Sequence, residues 1–566
     1  MFIENNSLRL VSHFLGAMPI VNHFFERLQV ERLFTQRLPP PDPRSAIPPV
    51  AVLMTLLRSL ILCRMPLYSV SEWANSLLPS ILGLEDPGAG ALNDDRLGRA
   101  LDELFHCDRQ SLLTHFVLDM VREFQIALEE FHNDSTSITF QGDYKEADGR
   151  TEGGTPTHRI TYGHNKDCRP DLKQLLWILT VSNDGAVPVH FKVDDGNVGD
   201  PVTHIETWNA LRRLVGSSKF LYVADCKLCT SENMRYIDSQ HGNFVTVLPK
   251  NRKETGWFRE WIGAHEASWQ EIAAIIHPGK SEPDIIQALE SPIPEANGFR
   301  LVWFLISSKQ HSDAEKRQDA LARANKELDK LKDKLQKPRC RIHTAKTVRK
   351  SVDEILRATG TAAWIDYNVE RTFELTEIHE ERKSPTAPLL VRRTKRLRFR
   401  LSWHVRLDAV NADSKSDGVL PLVTNSRELS PLQVYTVYHC NQPMIEKRHD
   451  LLKNTLQVTP AFVHGISRLE ALLFLEYIAV TVHALVEREL RHAMRENHLD
   501  HIPLYPESRE CRAPTAERVF EVFEHVQIHI LMAGDKKIQT FHPCLTKLQL
   551  QVLELLGIQT ACYTNC

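Results

Sequence analysis

Three acidic residues that lie far apart in the chain are the strongest candidates for chemistry in this sequence. Asp134 stands at the start of a predicted strand, Asp225 ends an apolar run of buried-strand length, and Glu446 lies on a predicted helix. An acid at the end of a buried strand is costly unless it is paired or bound to a cation. Carboxylates from two strands and a helix suit two Mg²⁺ ions about 4 Å apart, which activate water and stabilise a leaving phosphate oxygen.

Lys453 follows Glu446 by nearly two helical turns, so both side chains lie on one face of the predicted helix. A lysine in that position can hold a phosphate beside the acids. Each acid also has a purely structural interpretation: Asp134 as a strand-edge cap, Asp225 as a turn residue and Glu446 as a solvated helix acid. Asp143 is the rival first acid. The residues around the acids, described below, favour the metal site.

The elements that must position these residues change along the chain of 566 residues. Residues 1–130 are predicted to form a helical N-terminal domain, because apolar residues recur there at three- and four-residue spacing. Residues 131–259 are predicted to form the first part of an α/β core. Two strands flank a turn at Asn183-Asp184-Gly185, and a buried strand precedes Asp225.

Three further segments are predicted. Residues 260–410 contain an αα hairpin over 314–358, with leucines at heptad-like spacing and basic strands after it, and we interpret them as a mixed α+β insertion. Residues 411–500 return to the core pattern, with a strand and then a helix from Ser430 to about Asn454 that bends at Pro443. Residues 501–566 are predicted to be a C-terminal helical tail.

The composition excludes several classes of protein. Hydrophobic residues at 42% and charged residues at 25% exclude a disordered, collagen-like or multi-span membrane protein. The chain has 69 Lys and Arg against 72 Asp and Glu, so any surface for a polyanion must be local. The 11 cysteines are scattered, and the start lacks a secretory pattern, which favours a reducing cytosol. The most apolar window, 46–63, is too short to span a bilayer and is predicted to be a buried helix.

The residues around the acids resemble those of the bacterial insertion-sequence DDE transposases that carry a Tyr-Arg-Glu-Lys signature. The similarity spans roughly residues 90–500. Its blocks are, in chain order, Asn133 to Ser137, Gly163 to Gln174, Gly196 to Asp200, Tyr222 to Asp225, Asp417 to Asn425, and Ile445-Glu446 with Lys453. The signature is partial, because Tyr438 stands eight residues before Glu446 where the family has seven, and Gln442 occupies the arginine position.

The resemblance implies an RNase H-like mixed-sheet core in which Asp134, Asp225 and Glu446 are the catalytic residues and bind two Mg²⁺ or Mn²⁺ ions. It also implies cut-and-paste transposition, with cleavage at the element ends and strand transfer into target DNA. Lys453 and Tyr438 would contact the DNA. The N-terminal helices are the candidate for binding the terminal inverted repeats.

The partners implied are double-stranded DNA, as terminal repeats and as target, and a second copy of the chain. A homodimer in the DNA complex is expected from the need to hold two DNA ends and from the leucine pattern of the αα hairpin. No membrane partner is predicted. The expected location is the bacterial cytoplasm, in association with the nucleoid.

A basic run between Arg392 and Arg400 holds six cations and no acid in nine residues. In a strand, Arg396, Arg398 and Arg400 would fall on one face. We predict that this face follows DNA phosphates. The alternative is a solvated edge strand that is protected by its charge.

Three other patterns have both a functional and a structural interpretation. The polar block 166–173 is a turn between strands, or it faces DNA beside the acids. Cys226 and Cys229 have zinc-knuckle spacing, but no second pair follows, and we predict no zinc. Six tryptophans lie in or beside the insertion: Trp257, Trp261, Trp269, Trp303, Trp364 and Trp403. One interpretation is that one of them stacks on an unpaired DNA base, and the other is that they form the core of the insertion.

Two other functions fit the same residues. One is an inactive DNA-binding remnant of a transposase, in which the altered Tyr and Arg positions mark a lost activity. The presence of all three acids argues against it. The other is a metal-dependent nuclease of the same fold that hydrolyses DNA and never joins it, which a strand-transfer assay with a pre-cut end separates from a transposase.

Overall fold

The structure, a computed structural model, describes residues 8–43, 45, 47–63, 65–84, 92–276, 282–337, 340–379, 391–456, 463 and 465–564. Contacts between residues divide the chain into two units. Unit 1 comprises Met1–Thr246 and Thr436–Cys566, and unit 2 comprises Val247–Tyr435. Unit 2 contains the segment predicted as an insertion, and its boundaries lie outside 260–410.

Unit 1 begins with a strand and a group of helices. They are β1 (Leu8–Phe14), α1 (Met18–Arg27), α2 (Val30–Arg37), α3 (Pro49–Leu62), α4 (Val70–Asn75), α5 (Asp94–His106) and α6 (Arg109–Phe124). Every residue from Val52 to Ile61 is buried, which explains the apolar window as a core helix. The prediction of helices alone up to residue 130 is wrong at β1. This strand is mostly exposed and is held by backbone pairing rather than by an apolar face.

A mixed sheet with helices follows in the chain. Its elements are β2 (Glu130–Phe140), β3 (Thr151–Glu152), β4 (Thr155–Pro156), β5 (Lys173–Ser182), β6 (Pro188–Asp195), α7 (Asp200–Val215), β7 (Leu221–Ala224), α8 (Ser231–Ser239) and β8 (Asn243–Val247). The spatial order is β6, β5, β2, β7, β8. β5 is antiparallel to both β2 and β6, whereas β7 runs parallel to β2, and β8 to β7. The predicted α/β class with a mixed sheet is confirmed.

Unit 2 combines antiparallel strands with a helical hairpin. Its elements are α9 (Lys253–Ala264), β9 (Gln270–Ile275), β10 (Asp284–Glu290), β11 (Arg300–Ile306), α10 (Ser307–Gln336), α11 (Ala345–Thr359), β12 (Ile365–His379), β13 (Val391–Val405), α12 (Leu407–Ser414), β14 (Val419–Thr424) and α13 (Pro431–Tyr435). β14, β11, β10 and β9 are neighbours in that order and antiparallel.

The predicted αα hairpin is formed by α10 and α11. Its apolar positions pack against one face of the long β12–β13 ribbon. The buried cluster contains Ala324, Leu328, Leu331, Leu335, Val348, Val352, Leu356, Ile365, Val369, Phe399 and Leu401. The leucine spacing that suggested a dimer therefore serves, at these positions, the core of unit 2.

The chain returns to unit 1 through a π-helical turn (Thr436–Asn441). It continues with α14 (Pro443–Asp450), a second π-helical turn (Leu451–Thr455), α15 (Ile466–Glu496), α16 (Ala516–Phe523), β15 (Gln527–Ala533), β16 (Lys536–Phe541), α17 (Lys547–Leu555) and α18 (Ala561–Thr564). The helical tail predicted for 501–566 is wrong at β15 and β16. β15 pairs antiparallel with β1 and with β16, so the two ends of the chain share a sheet.

α15 is the central helix of unit 1. It is long and apolar enough to cross a membrane, yet its apolar window is wholly buried within the protein. Tyr477 stacks on Phe191 of β6 with ring centroids 4.5 Å apart, and its hydroxyl donates to the Pro188 carbonyl (3.1 Å). α15 therefore packs as a core helix against the strand at the edge of the sheet.

Candidate active site

Two of the predicted acids stand at neighbouring positions on adjacent parallel segments. In the pairing of β2 with β7, Asn133 lies opposite Ala224, the last residue of β7. Asp134 lies within β2 rather than at the predicted start of a strand, and Asp225 is the first residue after β7, so the strand spacing of about 4.8 Å brings the two residues close together. The Lys227 backbone N–H donates to the Asp225 carboxylate (2.9 Å) in the turn after β7. The register alone therefore joins two acids that are distant in sequence.

The Asp134 carboxylate lies between two basic side chains. Lys166 Nζ is 3.3 Å from Oδ1, and His449 Nδ1 is 3.5 Å from Oδ2. The Ser135 backbone N–H also donates to Oδ1 (2.8 Å). Burial raises the pKa of Asp134, but the interactions with His449, Lys166 and Ser135 outweigh it and lower the pKa to about 2. Asp134 is therefore ionised at neutral pH, as a metal ligand must be.

The helix that carries the third acid docks against β2. The Gln442 side chain donates to the Asn133 carbonyl (3.3 Å), and its Oε1 lies 2.9 Å from His132 Nδ1. Glu446 lies four residues after Gln442 and three before His449, so the three side chains lie on the same side of the helix. Because Gln442 and His449 both contact the 132–134 segment, α14 lies against this part of β2, with Glu446 between the two contacts along the helix.

Arg448 fixes α14 to the remainder of unit 1. Its guanidinium donates to the carbonyls of Ala186 (3.0 Å) and Gly185 (2.9 Å) in the β5–β6 turn, and to Glu487 of α15 (3.0 Å). The side chain is 5% exposed. Removing one partner of a buried ion pair costs about 3–5 kcal/mol. The position of α14 against the sheet is therefore strongly determined.

Tyr438 lies within the electrostatic range of all three acids. It is partly buried in the π-helical turn before α14, and such turns are frequent at functional sites. Burial raises the pKa of its phenol, and the charges of Asp225, Cys226, Asp134 and Glu446 raise it further. Glu446 itself is exposed.

The residue types at this place suit a hard divalent cation. Carboxylate oxygens are the ligands that Mg²⁺ prefers, and His449 Nε2 is buried with no hydrogen-bond partner among the described residues. Within those residues, however, no three His, Cys, Asp or Glu side chains are gathered closely enough to hold an ion. Lys166 is placed on Asp134 instead. The acids thus fit Mg²⁺ in type, and binding would require Lys166 to move.

Lys453, predicted to contact DNA, is paired with an acid. Its Nζ lies 2.7 and 2.9 Å from the two carboxylate oxygens of Asp167. Asp167 directly follows Lys166 in the chain. Lys166 contacts Asp134, and Asp167 contacts Lys453. The polar block 166–173 is therefore a turn before β5 whose first two residues contact the candidate site.

The three arginines predicted to follow DNA differ in their surroundings. All lie on β13 in unit 2, where Arg396 and Arg400 are exposed. Arg398 is 9% exposed, donates to Glu374 (2.9 Å), and donates to the Lys337 carbonyl (2.9 Å). The three arginines alternate along β13 as predicted, but the end of α10 covers the guanidinium of Arg398, so only Arg396 and Arg400 are exposed.

The acids of β12 lie opposite these arginines. The register pairs Glu374 with Arg396 and Glu370 with Arg400. Charges on the ribbon are thus partly neutralised across the two strands. The side chain of Arg392, at the start of the basic run, lies outside the described residues.

The remaining candidates take structural positions. Asp143 lies beyond the end of β2, is 80% exposed and pairs with Lys145 (3.2 Å), so it does not adjoin Asp225 in the register. Trp303 is buried and stacks on Phe258 with centroids 3.8 Å apart. The indole of Trp403 donates to Asn325 (2.8 Å). Trp257, Trp261, Trp269 and Trp364 are partly buried, and neither Cys226 nor Cys229 forms a disulfide with a described residue.

Sequence reasoning missed three residues of this site. His449 carries a weak signal, since it follows Glu446 by three residues and must lie near it on a helix. No signal in the sequence indicates the contact between Lys166 and Asp134, because this contact depends on how the turn before β5 folds back. Gln442 departs from the family signature, and the structure gives it a docking role against His132 and Asn133.

Comparison with known proteins gives a family-model match and similarities to solved structures. A family model described as a domain of unknown function (DUF4277) matches residues 10–118, which cover most of the N-terminal helices and end before β2. No curated protein matches the chain. Among solved structures, the chain is similar to a piggyBac transposase in a synaptic complex with hairpin DNA, determined by cryo-EM. That similarity has a TM-score of 0.37 and 8% identity, and covers 83% of this chain and 73% of the other.

Proposed function

We propose that this chain is a DNA transposase of the DDE type, built on an RNase H-like core in unit 1. The observation that carries the proposal is the register of β2 and β7, with Asn133 opposite Ala224 and an aspartate immediately after each. Helix α14, which carries Glu446, docks on the same part of β2 through Gln442 and His449, and this supports the inclusion of Glu446. Two acids on adjacent strands and a third on a docked helix form a suitable set of ligands for phosphoryl transfer.

Each residue has a specific role in this proposal. Asp134, Asp225 and Glu446 hold two Mg²⁺ or Mn²⁺ ions and orient them toward the DNA strand. When bound, the metal supplies activation of water, or of a freed 3′-hydroxyl, and stabilisation of the leaving oxygen. Lys453 binds a backbone phosphate next to the acids, and Tyr438 contacts the DNA from the π-helical turn.

The substrates in this proposal are the element's terminal inverted repeats and a target duplex, which are cut and joined. A homodimer in the DNA complex holds the two ends. Exposed Arg396 and Arg400 of β13 add phosphate contacts, since each neutralised phosphate contributes to affinity by releasing counterions.

Strand cleavage by acid variants tests the proposal. The substrate is the DNA that flanks the coding sequence, incubated with the full chain and Mg²⁺. Asp225→Asn and Glu446→Gln each remove a ligand charge, and we expect cleavage to fall at least about a thousandfold while DNA binding persists. Asp143→Asn is the matched control and should cleave normally. Retained cleavage in Asp225→Asn or Glu446→Gln would reject this set of ligands.

A second assay separates joining from hydrolysis. A flanking-end duplex that is already cut to expose its 3′-hydroxyl is mixed with a circular target, and joined products are counted. The transposase proposal expects covalent joining that depends on Asp134. Hydrolysis of DNA without any joined product would instead support a nuclease of the same fold.

A further inference from the structure

The loop formed by residues 163–171 reaches the candidate active site from a tightly packed base. A Cβ on Gly163 would lie 1.8 Å from the Gly196 carbonyl oxygen, so only glycine fits there. The Gln174 side chain donates to the carbonyls of Gly196 (2.8 Å) and His164 (3.4 Å). The base of the loop is therefore fixed on the sheet. Its next residues extend to the acids.

The loop places two opposite charges on two oppositely charged partners. Lys166 Nζ contacts the Asp134 carboxylate (3.3 Å) and donates to the Ser135 hydroxyl (2.8 Å). The Asp167 carboxylate receives Lys453 Nζ at 2.7 and 2.9 Å. The Lys166 ammonium thus occupies the side of Asp134 on which a bound metal ion would lie. The Asp167 carboxylate occupies the side of Lys453 on which a DNA phosphate would lie.

We propose that the 163–171 loop is an internal occupant of the active site that both substrates must displace. Lys166 takes the place of metal charge beside Asp134, and Asp167 takes the place of a DNA phosphate on Lys453. This inference rests on the proposed function, because it assigns Asp134 to metal and Lys453 to DNA. It adds that the chain without DNA holds its site closed with its own charges.

The two contacts differ in how far they are screened. The side chains of Lys166, Asp134 and Lys453 are 25%, 22% and 22% exposed, whereas Asp167 is 40% exposed, so water and salt screen the Lys166–Asp134 contact less than the Asp167–Lys453 pair. Because Lys166 and Asp167 are consecutive, moving one strains the contact of the other. Metal binding and DNA binding should therefore favour each other, since a displaced loop frees both places.

Binding of Mn²⁺ alone to the full chain tests the cation half. Lys166→Met removes the competing ammonium, and we expect the Mn²⁺ dissociation constant, measured by calorimetry without DNA, to fall about tenfold. Lys166→Arg keeps the charge and should bind Mn²⁺ like the parent chain. Lys173→Met is the matched control, because the Lys173 ammonium bonds to the Asp143 carbonyl away from the acids.

Binding of a short duplex of arbitrary sequence, in the presence of a chelator, tests the anion half. Asp167→Asn frees Lys453, and we expect DNA affinity to rise about tenfold, with the gain lost when Lys453→Met is added. Asp171→Asn removes an equal charge from the same loop, where Asp171 pairs with Arg169 (2.7 Å), and should change affinity less. Asp167→Glu keeps the charge and should bind DNA with the parental affinity.

The outcomes separate this inference from the proposed function. If the parent binds Mn²⁺ and loses it in Asp225→Asn, but Lys166→Met binds no more tightly than the parent, the loop only supports Asp134 and the inference is overturned. If Asp167→Asn and Asp171→Asn raise DNA affinity equally, the effect is one of net charge and the anion half is overturned. If no variant and no parent chain binds Mn²⁺, both the proposed function and the inference are rejected.

Discussion

The acid site of unit 1 and the basic ribbon of unit 2 are both rich in charge, but their charges are arranged in opposite ways. Asp134, Asp225 and Glu446 come from separate segments and are brought together by a parallel register and a docked helix. The arginines of β13 follow one another in the chain and lie opposite acids on the adjacent strand. Like charges that come from distant segments to one part of a sheet are typical of a binding site. Charges that alternate locally can stabilise the ribbon that carries them.

The contrast extends to the partners of each charge. Asp134 is paired with Lys166 from a loop and His449 from a helix, neither of which is a strand neighbour. Arg398 is paired with Glu374, two residues along the facing strand from its register partner Thr372, and with the end of α10. One partner of Asp134 therefore comes from a loop, whereas the partners of Arg398 come from the adjacent strand and from the helix that packs on the ribbon.

The largest effect is expected when the docking of α14 is broken. Gln442→Leu leaves His132 Nδ1 and the Asn133 carbonyl without their side-chain partner in a buried place, so we expect a loss of about 2–3 kcal/mol in the unfolding free energy of unit 1. Cleavage should fall as well, because Glu446 loses its position. Urea unfolding followed by hydrogen exchange in α14 and β2 measures the first effect. The exposed Gln539→Leu is the control, and equal stability of both variants would contradict the docking role.

A smaller loss of stability is expected from a change in the β12–β13 ribbon. It should differ between Arg398 and Arg400, which are two residues apart. Arg398→Met removes a covered guanidinium from Glu374 and the Lys337 carbonyl, so hydrogen exchange in α10 and β13 should rise, with a stability loss of about 1–2 kcal/mol. Arg400→Met should change stability by less than about 0.5 kcal/mol.

DNA binding should be affected more by Arg400→Met than by Arg398→Met, which is the reverse of the order expected for stability. Arg400→Met should reduce the salt dependence of binding by about one phosphate contact, whereas Arg398→Met should leave it unchanged. Fluorescence titrations at several salt concentrations measure this slope. If Arg398→Met lowers the slope as much as Arg400→Met, the ribbon presents a uniform arginine face after all.

Helices were predicted well from the sequence where the apolar spacing, or a helix-bending proline, lies within the helix itself. The αα hairpin follows from its leucine spacing, and the helix bend near Pro443 follows from the proline, which coincides with a change from π-helical to α-helical geometry. β1 and β15 were missed because each is stabilised by pairing with a segment at the far end of the chain. Strand propensity depends on such neighbours, and no local pattern encodes them.

The same distinction applies to the candidate site. Asp134 and Asp225 were identified from their strands and from the residues around them, and their adjacency in the register is a tertiary fact consistent with that choice. The roles of Gln442, His449 and Lys166 depend on which side of α14 and of the 163–171 loop meets β2. The type of one residue does not determine which side of a helix or loop packs on a strand. These contacts therefore cannot be predicted without the tertiary structure.

The position of a bound divalent ion would show whether these acids form a metal site. Crystals of the full chain grown with Mn²⁺ would give an anomalous-scattering peak at the metal. We expect a peak within coordination distance of the carboxylates of Asp134 and Asp225, with Glu446 turned toward it and Lys166 moved off Asp134. A peak elsewhere in the molecule, with Asp134 still bound to Lys166 and His449, would contradict it.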